Sequence, residues 1–141
     1  MTILQIRNGI SAKLDGLYPD IPVYGEEVAQ GMERPAFFII AKSSSGTKEL
    51  NRRQRAGAEF EIQYFPSESA SQNSELYTVG DALYELFRYV DTEDGVLRVK
   101  GARYEVKEGI LYFYLSFVWF SLIGADDVPQ VTDINMEVSN G

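Results

Sequence analysis

Hydrophobic positions recur in two distinct rhythms along the chain. Ile3, Ile6, Ile10, Leu14 and Leu17 are spaced by three and four, which places them on one face of a helix running from Thr2 to about Leu17. Gly16 weakens the last turn and Pro19 ends it. Asp20–Tyr24 carries Pro22 and predicts at most a brief edge strand, and the polar stretch from Gly25 to Arg34 predicts a loop. After Pro35 comes Ala36-Phe37-Phe38-Ile39-Ile40-Ala41, apolar at both parities, which predicts a strand covered on both faces. Ser43 to Lys48 is a turn-type cluster and predicts a mobile loop. From Arg55 the rhythm becomes two. Ala56, Ala58, Phe60, Ile62 and Tyr64 fall on one face, and Gly57, Glu59, Glu61 and Gln63 on the other. These two strands form a hairpin with a long tip.

Pro66 to Ser69 stops the strand. A second helix is expected from Ser71–Ser74 to about Val90, with Leu76, Val79, Leu83, Leu86, Phe87 and Val90 as its stripe. Ser71 or Asn73 is the expected N-cap, because its side chain can accept from an otherwise unbonded amide. Asp91 to Gly95 is a polar stop. Val96–Val106 and Gly109–Ile123 predict a second hairpin, turning at Lys107-Glu108-Gly109. The expected fold is α+β: two hairpins plus a short edge strand in one antiparallel or mixed sheet, with two helices on one face. Residues 1–124 form its single domain. Residues 125–141 are polar and are expected to be a flexible tail, or one that orders on a partner.

Composition narrows the chemistry. The chain has 141 residues and neither cysteine nor histidine. A disulfide framework, a thiolate zinc site, a thiol nucleophile and a histidine base are all excluded. The net charge is −8, with 8 Lys/Arg and 9 Asp/Glu in residues 1–70 against 5 and 12 in residues 71–141. Such a chain repels nucleic-acid phosphate, so tight DNA binding is not expected. The most apolar run, Gly109–Ile123, is shorter than the ~20 residues of a membrane helix. The N-terminus lacks the pattern of a signal peptide, and a cytoplasmic protein is expected.

The remaining candidates for chemistry are weak. Glu26-Glu27 is an adjacent acidic pair, and neighbours in sequence often diverge in space, so a solvated or partner-facing loop is expected. Asp126, Asp127 and Asp133 have oxygen ligands but not the spacing of a calcium loop. Lys42 and Lys48 sit beside a serine loop, where a desolvated amine is not expected. There is no phosphate-binding glycine motif and no nucleophile elbow. No catalytic residue, metal or cofactor is expected.

One charge cluster stands out. Lys48-Glu49-Leu50-Asn51-Arg52-Arg53-Gln54-Arg55 holds four cations within eight residues of an acidic chain. Arginine suits carboxylate forks, so this cluster can meet the acidic face of a neighbouring copy or brush a phosphate backbone, or else it is a solvated strand end. The aromatic run from Tyr112 to Phe120 has apolar residues at both parities. One face must meet the helices, and a subunit interface or the chain's own loops or tail must cover the other.

Three segments together resemble the tail terminator, or tail completion, proteins of long-tailed bacteriophages and Gram-positive prophages. The first is the N-terminal helix followed by Tyr18-Pro19-Asp20-Ile21-Pro22-Val23-Tyr24. The second runs from Glu26 to Ile39 and includes Gly31, Pro35, Phe37 and Phe38. The third leads from Arg52-Arg53 into Phe60-Glu61-Ile62-Gln63-Tyr64-Phe65-Pro66. The resemblance spans roughly residues 3–123 and implies an α/β fold. It also implies a ring, typically of six copies, on the head-proximal end of the tail tube. That ring stops tube polymerisation, joins the tail to the head connector or head completion protein, and lets DNA through its hole without sequence-specific binding. Assembly takes place in the host cytoplasm, and the protein ends in the virion tail or neck, away from any membrane. Lys48, Glu49, Arg52, Arg53, Arg55, Glu26 and Glu27 become candidates for contact with a second subunit or the tube. Other neck proteins (a head completion or tail-joining factor) and a minor structural tail protein remain alternatives.

Overall fold

The computed structural model describes residues 1–25, 32–67 and 72–122. Helix α1 (Ile3–Leu17) starts with a capping box: the Thr2 hydroxyl accepts from the Gln5 amide, and the Gln5 side chain accepts from the Thr2 amide. Ile6, Ile10 and Leu14 are fully buried, as their spacing predicts, while Leu17 is exposed at its end. Strand β1 (Val23–Tyr24) follows, then β2 (Ala36–Lys48), a short 3-10 turn at Leu50–Arg52, and β3 (Arg53–Phe65). Helix α2 (Gln72–Leu86), β4 (Tyr89–Thr92), β5 (Gly95–Lys107) and β6 (Ile110–Leu122) complete the described chain.

The six strands form one sheet in the order β1-β2-β3-β6-β5-β4. β1 runs parallel to β2, and every other pair is antiparallel. Both helices lie on the same face. Leu76, Val79 and Leu83 of α2 join the α1 stripe over Phe37, Ile39, Phe60, Ile62, Phe113, Leu115 and Phe117. Two glycines allow the close approach. A Cβ on Gly9 would lie 2.4 Å from the Asp91 carbonyl oxygen of β4, and one on Gly80 would lie 2.7 Å from the Tyr104 ring of β5. Lys13 of α1 donates to the Leu86 carbonyl at the C-terminus of α2, where a cation is favoured.

The structure departs from the sequence reading at three places. Ser43–Lys48, expected as a loop, continues β2 and pairs in register with Gln54–Glu59, so the hairpin tip shrinks to Glu49–Arg52. A ladder with β3 fixes this stretch where local propensity favours a turn. The second helix stops at Leu86, and Val90 is buried from an additional strand, β4, because the polar stop after it is the turn of a β4–β5 hairpin. The Thr92 hydroxyl closes that turn by accepting from the Asp94 amide and donating to the Gly95 carbonyl. Third, Phe38 and Ile40 are half-buried and face away from the helices, so no described element covers the second face of β2. Asn73 lies inside α2 and is not its cap. Ser71 and the tail 125–141 lie outside the described residues.

Candidate assembly interface

The core covers only part of the long strands. In β2 the residues from Ala36 to Ala41 are buried or half-buried, and every one from Lys42 to Lys48 is exposed. The distal halves of β2, β3 and β6 therefore form a three-stranded arm, held largely by its ladder: Gly46 opposes Ala56, which opposes Trp119. Trp119 is half-buried and packs at the margin of the core. β1 pairs only with Phe37 and Phe38, so no described strand lies along the outer edge of β2 from Ile39 onward. Lys42 and the bulge between Ala41 and Ser43 interrupt that edge, as edges in monomeric proteins often are.

The basic cluster sits at the end of this arm. Leu50 is 87% exposed at the tip. Arg52 is exposed and adopts a left-handed backbone with φ of 61°, which lets the chain reverse in so few residues. Arg53 Nε lies 3.4 Å from a Glu49 carboxylate oxygen, and its guanidinium stacks 3.9 Å over the Phe120 ring. Arg55 opposes Phe120 on β6 and Thr47 on β2. Lys48 and Arg55 are exposed. The register sets Arg53 and Arg55 on the open face of the sheet with Phe120, and Lys48, paired with Gln54, on the other, so the cluster shares the tip of the arm but not one face. Glu26, Glu27 and Gly31 lie outside the described residues.

The residues quoted for the family resemblance are mostly structural. The Pro22 carbonyl accepts from the Phe37 amide at 2.9 Å and ties β1 to β2. Pro35 follows a cis peptide bond at the start of β2. Phe37 is fully buried between Tyr18 and Tyr64. The Tyr64 hydroxyl donates to Glu75 of α2, so β3 and α2 are locked together. Burial, then the carboxylate beside it, pushes the Tyr64 phenol well above its ordinary value of 10.0. Phe38 and Phe65 meet edge to face on the opposite side of the sheet.

That opposite side is the feature the sequence reading left open. Tyr112, Tyr114, Val118 and Phe120 of β6 line it, and no described element packs on them. Cations lie along the aromatic rings: Arg103 stacks 4.1 Å over Tyr114, Lys107 sits 5.8 Å from Tyr112, and Arg34 5.4 Å from Phe65. Glu61 is buried here at 6% exposure, with Lys42 at 3.6 Å and the Gln63 amide donating to it. A groove of about 500 Å³ opens where β5 bulges between Val99 and Gly101, walled by Lys42, Glu59, Arg103, Tyr114 and Ser116. Two rows of small and charged residues on β3 and β5 flank the aromatic row, a signal visible in the sequence only once the register is known.

No group of three or more metal-ligating side chains occurs among the described residues, and no described helix is long and apolar enough to cross a membrane. No curated protein sequence matches the chain. One solved chain aligns over 86% of this chain and 96% of its own length, at 14% identity and a TM-score of 0.47. A family model described as phage tail terminator protein matches residues 5–129. That span takes in α1 from Gln5 onward, α2, all six strands and the arm, and the chain belongs to the phage tail terminator protein family.

Proposed function

We propose that this protein forms a ring on the head-proximal end of a phage tail tube, stops the tube from growing, and provides the joint to the head connector. The observation that carries this reading is the family match over residues 5–129. The architecture supports it. The arm presents a basic, partly apolar tip away from the core, the form of a contact made with another protein. Its work is done by binding, without catalysis or cofactor. Copies of the same chain, the tail tube protein and the connector or head completion protein are its partners. DNA passes through the ring without sequence-specific contact, since a chain at −8 offers no net attraction to phosphate. Assembly occurs in the host cytoplasm and the product resides in the virion neck.

A phage lacking this chain tests the reading. It is expected to make tails of uncontrolled length that do not join heads, with normal tails restored by the wild-type chain supplied in trans. Tails of normal length that join heads in its absence would overturn the proposal.

A further inference from the structure

We propose that the open face of the sheet docks on the outer face of α2 of a second copy, head to tail. This inference rests on the ring reading above and names the surfaces that make the ring. Over β2, β3, β6 and the part of β5 paired with β6, the open face carries Lys42, Arg53, Arg55, Arg103 and Lys107. Three carboxylates, Glu59, Glu61 and Glu105, share that face, and a fourth, Glu49 at the tip, pairs with Arg53, so five cations stand against four carboxylates. Three of the four are already engaged, Glu61 by Lys42, Glu49 by Arg53, and Glu105 by Arg103 and Lys107. The face is therefore net basic on a protein whose total charge is −8. The opposite sign lies on α2, which holds Glu75, Asp81 and Glu85 and no lysine or arginine.

Both surfaces also expose rings. Tyr77 and Tyr84 are 52% and 39% exposed on α2, and Phe120 is 48% exposed on the sheet. Tyr77, Asp81, Tyr84 and Glu85 fall at helical spacings of four, seven and eight, on one side of α2. Arg53 and Arg103 lie over aromatic rings, and each meets a nearby carboxylate, Glu49 and Glu105, in an exposed pair of the kind that exchanges readily for a partner's carboxylate. The Asp81 carboxylate accepts from Tyr104, and Glu85 meets Arg88 in an exposed pair of the kind that contributes little and exchanges readily. The groove at the β5 bulge gives the sheet face a concavity to receive a ring from α2. The two patches differ, so each copy offers one of each and contacts propagate until a ring closes. Two sheet faces would instead repel, which disfavours a two-fold dimer.

The test uses the full chain and its solution mass. The wild type is expected to sediment at a multiple of its 15.9 kDa monomer at low salt and to shift toward monomer as salt rises. Arg53→Glu with Arg103→Glu and, separately, Asp81→Lys with Glu85→Lys are each expected to be folded monomers, at least tenfold weaker in self-association. Mixed in equal amounts, they are expected to recover the assembly, because each reversed patch now fits the other variant. If the Asp81 change unfolds the chain, Tyr77→Lys with Glu85→Lys takes its place. A wild type that stays monomeric at every concentration, single variants that still assemble, or a mixture that stays monomeric would each overturn the inference. A monomeric chain that still limits tube length would overturn this docking and leave the terminator reading standing. Restored rings with no effect on tubes would do the reverse.

Discussion

The two halves of the β2–β3 hairpin make an instructive pair. In the proximal half, Phe37, Ile39, Phe60 and Ile62 are essentially inaccessible, and the helices pack over them. In the distal half, past the bulge at Lys42, the same two strands pair without further break from Ser43–Lys48 to Gln54–Glu59, with serine, glycine, threonine and arginine in place of those side chains. Burial stabilises the first half and a ladder shared with β6 holds the second. The first half determines that the protein folds, and the second is free to meet something else.

The comparison breaks most visibly in the core. Phe113 is fully buried against Phe87 and Tyr84, and Phe113→Ala is expected to cost about 3–5 kcal/mol in urea unfolding. A cost under about 1 kcal/mol would mean that the helices do not sit on this face. Gly9→Ala is expected to cost about 1–3 kcal/mol, because the new methyl overlaps the backbone of β4. An unchanged urea midpoint would show that α1 stands further from the sheet.

Trp119 marks the border between the halves. The aromatic run reads as core, and full burial there would give the same 3–5 kcal/mol as Phe113. Half-buried at the base of the arm, Trp119→Ala is expected to cost about 1–2 kcal/mol. A value near 4 kcal/mol would move the border outward.

Tyr64 tests the link between β3 and α2 through pH. Its phenol keeps its proton in the fold to a higher pH than in the unfolded chain, where it titrates near 10.0. Above that pH the unfolded chain binds fewer protons, so stability is full below it and falls as pH rises toward the folded value. Urea midpoints at pH 9 and pH 11 are expected to differ in the wild type and to differ less in Tyr64→Phe. An equal drop in both would assign the effect to the other raised tyrosines, Tyr18, Tyr104 and Tyr114. The smallest effect on folding belongs to the arm. Arg52→Glu with Arg53→Glu is expected to change stability by no more than about 0.5 kcal/mol, while weakening assembly on the tube. Loss of the folded state by circular dichroism would place these arginines in the structure of the domain.

Periodicity was a good guide wherever one side of an element faces the core. Ile6, Ile10 and Leu14, and the Ala58–Tyr64 alternation, read directly because burial imposes their spacing. It failed where pairing between strands decides the outcome. Ser43-Ser44-Ser45-Gly46-Thr47 has turn propensity throughout, and only its partner Arg55–Glu59 makes it a strand. Val90 fits the helical stripe by spacing, yet the chain leaves the helix at Leu86 and reaches the same core from β4. The basic cluster was legible as charge. Its stacking on Phe120 depends on a β3–β6 register that links residues more than sixty positions apart, and the cations over Tyr112 and Tyr114 on the β5–β6 pairing.

The central claim is that this chain limits the growth of a tail tube. The direct measurement is the length of tubes formed by purified tail tube protein, imaged by negative-stain electron microscopy, with and without this protein. The account predicts shorter tubes with added density at one end, and no shortening by the Arg52→Glu, Arg53→Glu variant. Tubes of the same length in the presence of the folded wild-type protein would contradict it.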